Sequence, residues 1–327
     1  MGWQGALRSL EAASRRAERE CQCEQKALAK RQQLENAAFE VEEFEEKINS
    51  LISMQDVCLA KFNWEKVKGE VSPSKPENLR ENEIKATAKL NNFKPNVLHK
   101  LFKTTEVKLE KLRKNVQEAK KKDEKQHKKN TELYEQNYSL WENDQKISQG
   151  VLNGNLDSYI EAFKTISPLD EMEDYIINSV FFPLNSLLAE ITVTSKGEQI
   201  IPKEIKTLLK SGKLSAKKMP IGQFYETYQD HICSSALRIA SEIFALLPII
   251  TVVVNILDNS LNTQTGHLEK QPILSVAVPK ETLSRLNLSQ LDPSDAMKNF
   301  ICNMNFTKTK GFGAVKKINL EEIDNKE

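Results

Sequence analysis

The sequence predicts an α+β protein: a long antiparallel α-helical hairpin with coiled-coil packing, then a compact α+β domain with a mainly antiparallel sheet. Three observations carry this. The stretches 6–58 and 96–149 contain neither proline nor glycine. In each of them apolar residues recur at spacings of three and four. After Gly150, prolines, glycines and β-branched residues return, in an order of strand, hairpin, long helix, two strands and further helices.

The first helix is rich in Ala, Glu, Arg, Gln and Leu, all good helix formers. From Ala37 its apolar residues continue through Val41, Phe44, Ile48 and Leu51, a heptad seam. The part over 15–33 has no such seam, so the helix should be packed in its second half and partly exposed in its first. Charge is segregated along it: seven Lys/Arg against four Glu over 8–31, then six Glu and no basic residue over 35–46. A solvated face accounts for that pattern, and partner choice by charge is the sharper reading.

A Pro-containing connector spans 69–95. Gly69 to Pro76 breaks the first helix, a short helix follows over 76–91, and Phe93-Lys94-Pro95 breaks the chain again. The second long helix reaches 149. Its seam is Leu109, Leu112, Val116 and Ala119, weakens through Asp123, Gln126 and Asn130, and returns at Leu133 and Leu140. Residues 104–149 would form a helix about 69 Å long. Helices of that length need a partner. A hairpin within the chain is the simplest solution, and pairing between chains uses the same heptads.

Helices are expected over 156–166 and 169–177, then a strand over 187–194. Lys196-Gly197-Glu198 turns the chain into a strand at 199–201, and 211–215 is a loop. A helix over 222–247 ends at Pro248. Strands over 250–257 and 273–278 flank a polar loop, 258–271. Helices over 280–287 and 293–303 and a last strand over 314–318 complete the domain. Asp292 before Pro293 reads as an N-cap with proline at the first helical position. The domains are therefore 1–149 and 150–319, with an acidic tail at 320–327.

Composition excludes several classes. The chain is 39% hydrophobic and 28% charged with a net charge of +1, so no global field steers it to nucleic acid. Five cysteines form an odd, sparse set rather than a disulfide framework, and Cys21 and Cys23, two apart on a helix, make a poor metal pair. The opening lacks the apolar core of a signal peptide. The most apolar run, 243–256, is split by Pro248 and is short of the ~20 residues a span needs. The expected location is the cytoplasm, with no membrane partner.

No phosphate loop, nucleophile elbow or HExxH is present. His231 and Cys233 are two apart on one helix and do not share a face, which argues against a Cys–His pair. Residues 108–129 hold ten Lys/Arg and four Asp/Glu, a local net of +6, with no aromatic residue for base stacking. Lys120, Lys121 and Lys122 are the phosphate candidates there. Lys217, Lys218, Lys308 and Lys310 would form a second small basic surface. The polar loop offers Asp258, His267 and Glu269, to which the preceding helix adds Glu242, as a candidate catalytic set. A metal-dependent nuclease would hold Mg²⁺ on such carboxylates, but Glu269-Lys270-Gln271 has Gln where that chemistry wants Lys.

The opening Met-Gly-Trp-x-Gly-x-Leu-Arg-Ser, with Phe62-Asn63-Trp64-Glu65, Ser211-Gly212-Lys213-Leu214-Ser215 and Asp292-Pro293-Ser294-Asp295-Ala296-Met297, resembles a group of uncharacterised bacterial coiled-coil proteins. The resemblance implies a bacterial cytosolic chain and brings no activity or catalytic residue with it. The leading expectation is a non-catalytic scaffold that self-associates or docks a protein partner through the helical arm, with a ligand- or partner-binding α+β domain and no cofactor. The alternative is a nucleic-acid-binding protein or Mg²⁺-dependent nuclease, or an accessory factor, in bacterial defence against phage.

Overall fold

The computed structural model describes residues 3–56, 60–94, 105–261 and 266–319. Cys58, the expected helix start at 96–104, loop residues 262–265 and the tail 320–327 lie outside them. The chain divides into two compact units, one of Met1–Phe62 with Tyr159–Glu327 and one of Asn63–Ser158. The elements confirm an α+β chain with long helices toward the N-terminus and a mainly antiparallel sheet.

In the first unit, α1 (Trp3–Ile52) runs for 50 residues. Its inward residues are Leu34, Ala37, Val41, Phe44, Ile48 and Leu51, with Leu51 fully buried and Phe44 and Ile48 half-buried. What covers this seam is partly a two-stranded antiparallel hairpin, β3 (Glu204–Leu208) and β4 (Leu214–Lys218). Lys206 Nζ meets Glu40 Oε2 at 3.0 Å. Gly212, at φ +77°, turns the hairpin where a Cβ would come within 2.9 Å of Leu34. The expected loop at 211–215 is this turn. Residues 22–33 of α1 are exposed at every position.

The six-stranded sheet has the order β1-β2-β5-β6-β7-β8. Its strands are β1 (Ile176–Pro183), β2 (Leu188–Ser195), β5 (Thr251–Leu261), β6 (Leu268–Pro279), β7 (Ile301–Thr307) and β8 (Gly311–Gly313). Neighbours are antiparallel except β2 and β5, which run parallel because the chain crosses over through β3, β4 and α6 (Ile221–Leu246). The helix α6 buries Ile232, Ala236, Leu237, Ile239, Ala240 and Ile243, all essentially inaccessible. On the opposite side of the sheet, the extended segment 314–319 lies over the central strands. There Ile318 joins Leu188, Val253 and Ala277 in a small buried cluster, and Lys317 Nζ reaches Glu190 Oε1 at 2.9 Å.

Several expected elements change type. The helix expected over 169–177 is a 3-10 turn at Asp170–Met172 followed by the edge strand β1. The strand expected at 199–201 is a 3-10 turn, Gly197–Ile200. The polar loop after Asp258 is mostly paired: Asp258 faces Gln271, Ser260 faces Glu269 and Leu261 faces Leu268. A register shift between Ile256 and Leu257 skips Ile273, beside Pro272, which has no N–H to give the ladder. The helices expected over 156–166 and 280–287 are α5 (Leu156–Ile166) and α7 (Lys280–Ser284). Over 293–303 a short helix, α8 (Pro293–Ala296), gives way to β7, and 314–318 forms no strand ladder, with the Val315 N–H donating to Pro272 O at 2.8 Å.

In the second unit, α4 (Thr105–Leu152) runs for 48 residues. The short helices α2 (Trp64–Lys68) and α3 (Glu81–Asn91) pack on it, so within this unit the connector itself covers the seam. Leu109, Leu112, Val116 and Ala119 are half-buried as a stripe. The stripe then continues through Asp123, His127, Thr131 and Tyr134 to Trp141, while Leu133 and Leu140 are 55% and 64% exposed. The middle of the seam is thus polar for a reason: Asp123 is buried because it caps α3. Its carboxylate accepts from the Glu83 backbone N–H at 2.8 Å and from Asn82 Nδ2 at 2.6 Å. Arg80, at the N-cap position, makes no such bond. Further along, Trp141 Nε1 donates to Glu70 O at 2.9 Å and Gln145 Nε2 to Val67 O at 2.7 Å.

Candidate functional site

The four candidate catalytic residues do not form one site. Asp258 lies near the end of β5, and the Tyr228 hydroxyl of α6 donates to it. Glu242 lies fourteen residues further along α6, about 21 Å by helical rise. There its carboxylate is buried against Arg238, whose guanidinium also reaches Glu171 at 3.1 Å. Asp258 and Glu269 share one face of the β5–β6 ladder two rungs apart, and His267 is exposed beside its tip.

The seven candidate phosphate-binding lysines are all exposed. Lys120, Lys121 and Lys122 lie on α4, Lys217 and Lys218 on β4, and Lys308 and Lys310 in the β7–β8 turn. Lys308 is paired with Glu226 of α6.

Around Asp258 the sequence residues converge from three elements. Gly197 sits at φ +73°, where a Cβ would come within 2.7 Å of Asp258 Oδ1, and its N–H donates to Ser195 Oγ at 2.9 Å. Glu198 follows at once. Burial raises the Glu198 carboxyl, and the nearby Asp258 adds to it. Burial raises Asp258 as well, against the hydrogen bond from Tyr228. The Phe312 ring meets Tyr228 edge-on at 5.3 Å. A Cβ on Gly311 would lie 2.7 Å from the Tyr225 ring, so only glycine lets β8 approach α6 this closely.

A polar cleft of about 770 Å³ lies between α6, α8 and β7. Glu226, Gln229 and Asp230 of α6 form one wall; Asp292, Ser294 and Asp295 form another. Met304 and Cys302 line its floor from β7. Asp292 caps α8 by accepting from the Asp295 N–H at 2.9 Å, so the cap seen in the sequence is also a wall of this cleft. Asp230 is pushed up to about 6, first by burial and then by the carboxylates of Asp292, Glu226 and Asp295, against a hydrogen bond with Ser294.

The thiols of Cys233 and Cys302 are not poised for attack. Burial pushes Cys302 up to about 11 and Cys233 upward as well, so both stay protonated near neutrality. His231 is buried and pushed down to about 4, and its Nδ1 donates to Leu51 O at 3.1 Å. It is a neutral tie between α6 and the end of α1. Among the described residues no group of three or more His, Cys, Asp or Glu is placed to hold a metal ion. Also among them, no helix is long and apolar enough to cross a membrane.

Sequence reading missed a buried polar row on α6: His231, Ser234, Ser235, Arg238 and Glu242. Ser234 Oγ donates to Gln55 Oε1 at 2.5 Å, and Ser235 Oγ to His231 O at 2.7 Å. The signal was present as polar residues at helical spacing inside an otherwise apolar helix, but the partner at Gln55 is distant in sequence. No family model, no curated protein and no solved structure matches the chain, so its function rests on its own residues.

Proposed function

We propose that the protein is a non-catalytic binding protein that docks a partner helix, or a second copy of itself, along its long helices. The observation that supports this reading is a line of apolar residues left on the outer face of α4. Leu133 and Leu140 are seven residues apart, hence on one face, and both stay exposed because the inner stripe runs through Thr131, Tyr134 and Trp141. On α1, Leu28 and Phe39 are 59% and 65% exposed and eleven residues apart, again one face. Seams of this kind are what a partner helix reads at i and i+7.

Sedimentation of the full-length protein tests it. The parent is expected to associate as its concentration rises, and Leu133→Glu with Leu140→Glu is expected to sediment as a monomer with unchanged helicity. A parent that stays monomeric throughout removes self-association through this face.

A further inference from the structure

We infer that the back of α4 is a binding face for the phosphate backbone of double-helical nucleic acid, read without regard to sequence. This goes beyond the docking of a partner helix, because it uses different residues and a different chemistry. Of the ten cations at 108–129, only Lys128 lies within ion-pairing distance of a described carboxylate, Glu132 at 3.9 Å. The others are exposed and unneutralised by close contact. On solvated helix faces lysines commonly pair with an acid four residues away, as Lys85 does with Glu81 and Lys146 with Glu142. Here only Lys121 and Lys125 have lysine four residues on, and Lys114 and Lys120 stand four residues before Glu118 and Glu124 without closing on them.

The cations are also directional. The inner stripe through Leu112, Val116 and Asp123 faces the connector helices. Lys114, Lys121 and Lys125 fall on the opposite side at 100° per residue, with Lys111, Lys128 and Lys129 beside them, interrupted by Glu110 and Glu118. They span about 27 Å along the helix. A duplex presents one phosphate per ~3.4 Å of axis on each strand, so every one of these lysines can find a phosphate. Asp123, one of the four carboxylates in the run, is turned inward to cap α3. Between Lys111 and Lys129 this face carries no aromatic residue on which an unpaired base would stack, and no apolar residue that would insert among lipid tails. Those absences favour a duplex over a single strand or a membrane.

The test is a binding titration of the full-length protein against a labelled duplex, the matching single strand and anionic phosphatidylserine vesicles. Six phosphate contacts predict a slope of about −5 for log K against log salt, or about 10³-fold weaker binding between roughly 50 and 200 mM. Replacing Lys111, Lys114, Lys121 and Lys125 by Gln is expected to flatten the slope to about −2. The helix should be preserved, because the four are exposed and Gln is a good helix former. Lys308→Gln with Lys310→Gln, on the other basic surface, is expected to leave the slope unchanged. The proposal is overturned by no duplex binding at low salt, by a slope the α4 variant leaves intact, by tighter binding of the single strand, or by vesicle binding in place of duplex binding.

Discussion

Asp230 and Arg238 lie two turns apart on α6 and show how much the surroundings of a charge decide. Asp230 sits in an acidic cleft and binds its proton more tightly in the folded protein than the ordinary aspartate value of 3.8, up to about 6. A raised carboxyl favours the fold below its unfolded value, and that contribution is lost as pH rises through the folded one. Asp230→Asn is therefore expected to gain stability over the parent between about pH 4 and 6 and to hold a constant advantage above, measured by urea unfolding. His231 acts with the opposite sign: depressed to about 4, it costs stability as pH falls below its ordinary 6.5. Comparing parent with variant cancels it. Arg238 neutralises Glu242, whose carboxyl is raised to about 7 by burial despite that partner. Arg238→Met alone should cost about 3–5 kcal/mol near pH 8, where Glu242 is ionised in the unfolded chain and the fold no longer offers it a cation, and less near pH 5. Adding Glu242→Leu should restore most of the loss, because a well-packed apolar pair tolerates burial better than one unpaired charge.

At the scale of elements, α3 depends on a residue forty positions away. Its own N-cap residue, Arg80, makes no side-chain capping bond, and Asp123 of α4 satisfies the Glu83 N–H instead. That bond holds the Asp123 carboxyl below its ordinary range. The stabilisation is present above the ordinary carboxylate range and lost as pH falls, the reverse of Asp230. Asp123→Ala is expected to speed hydrogen exchange of the α3 amides while leaving those of α6 unchanged. Sequence reading recovered α6, β2 and the helix over Leu156–Ile166 nearly to the residue, because each has one strong periodicity bounded by proline or glycine, and it placed the start of β5 but ended that strand four residues early. It missed β1 and the β3–β4 hairpin. Those strands are short or at an edge, β3 and β4 are half polar, and their pairing partners are not implied by local spacing.

Across the whole molecule, the chain leaves its first unit after Phe62 and returns to it at Tyr159, so a long excursion separates α1 from the sheet it joins. The sequence by itself determined the class of the fold, the presence of both long helices and the seams at Ala37–Leu51 and Leu109–Ala119, though not the path of the second seam past Asp123, where Leu133 and Leu140 stay exposed. Helical periodicity is local, and a 3–4 spacing specifies a buried stripe wherever the chain later goes. Only the tertiary structure decided what buries each stripe. For α1 that includes a small β-hairpin and α6; for α4 it is the connector, with Asp123 spent on a cap. The same holds for the site. Tyr228, Gly197 and Asp258, or Asp230, Ser294 and Met304, become neighbours through strand order and crossover, and a stripe of apolar residues carries no information about which element will meet it.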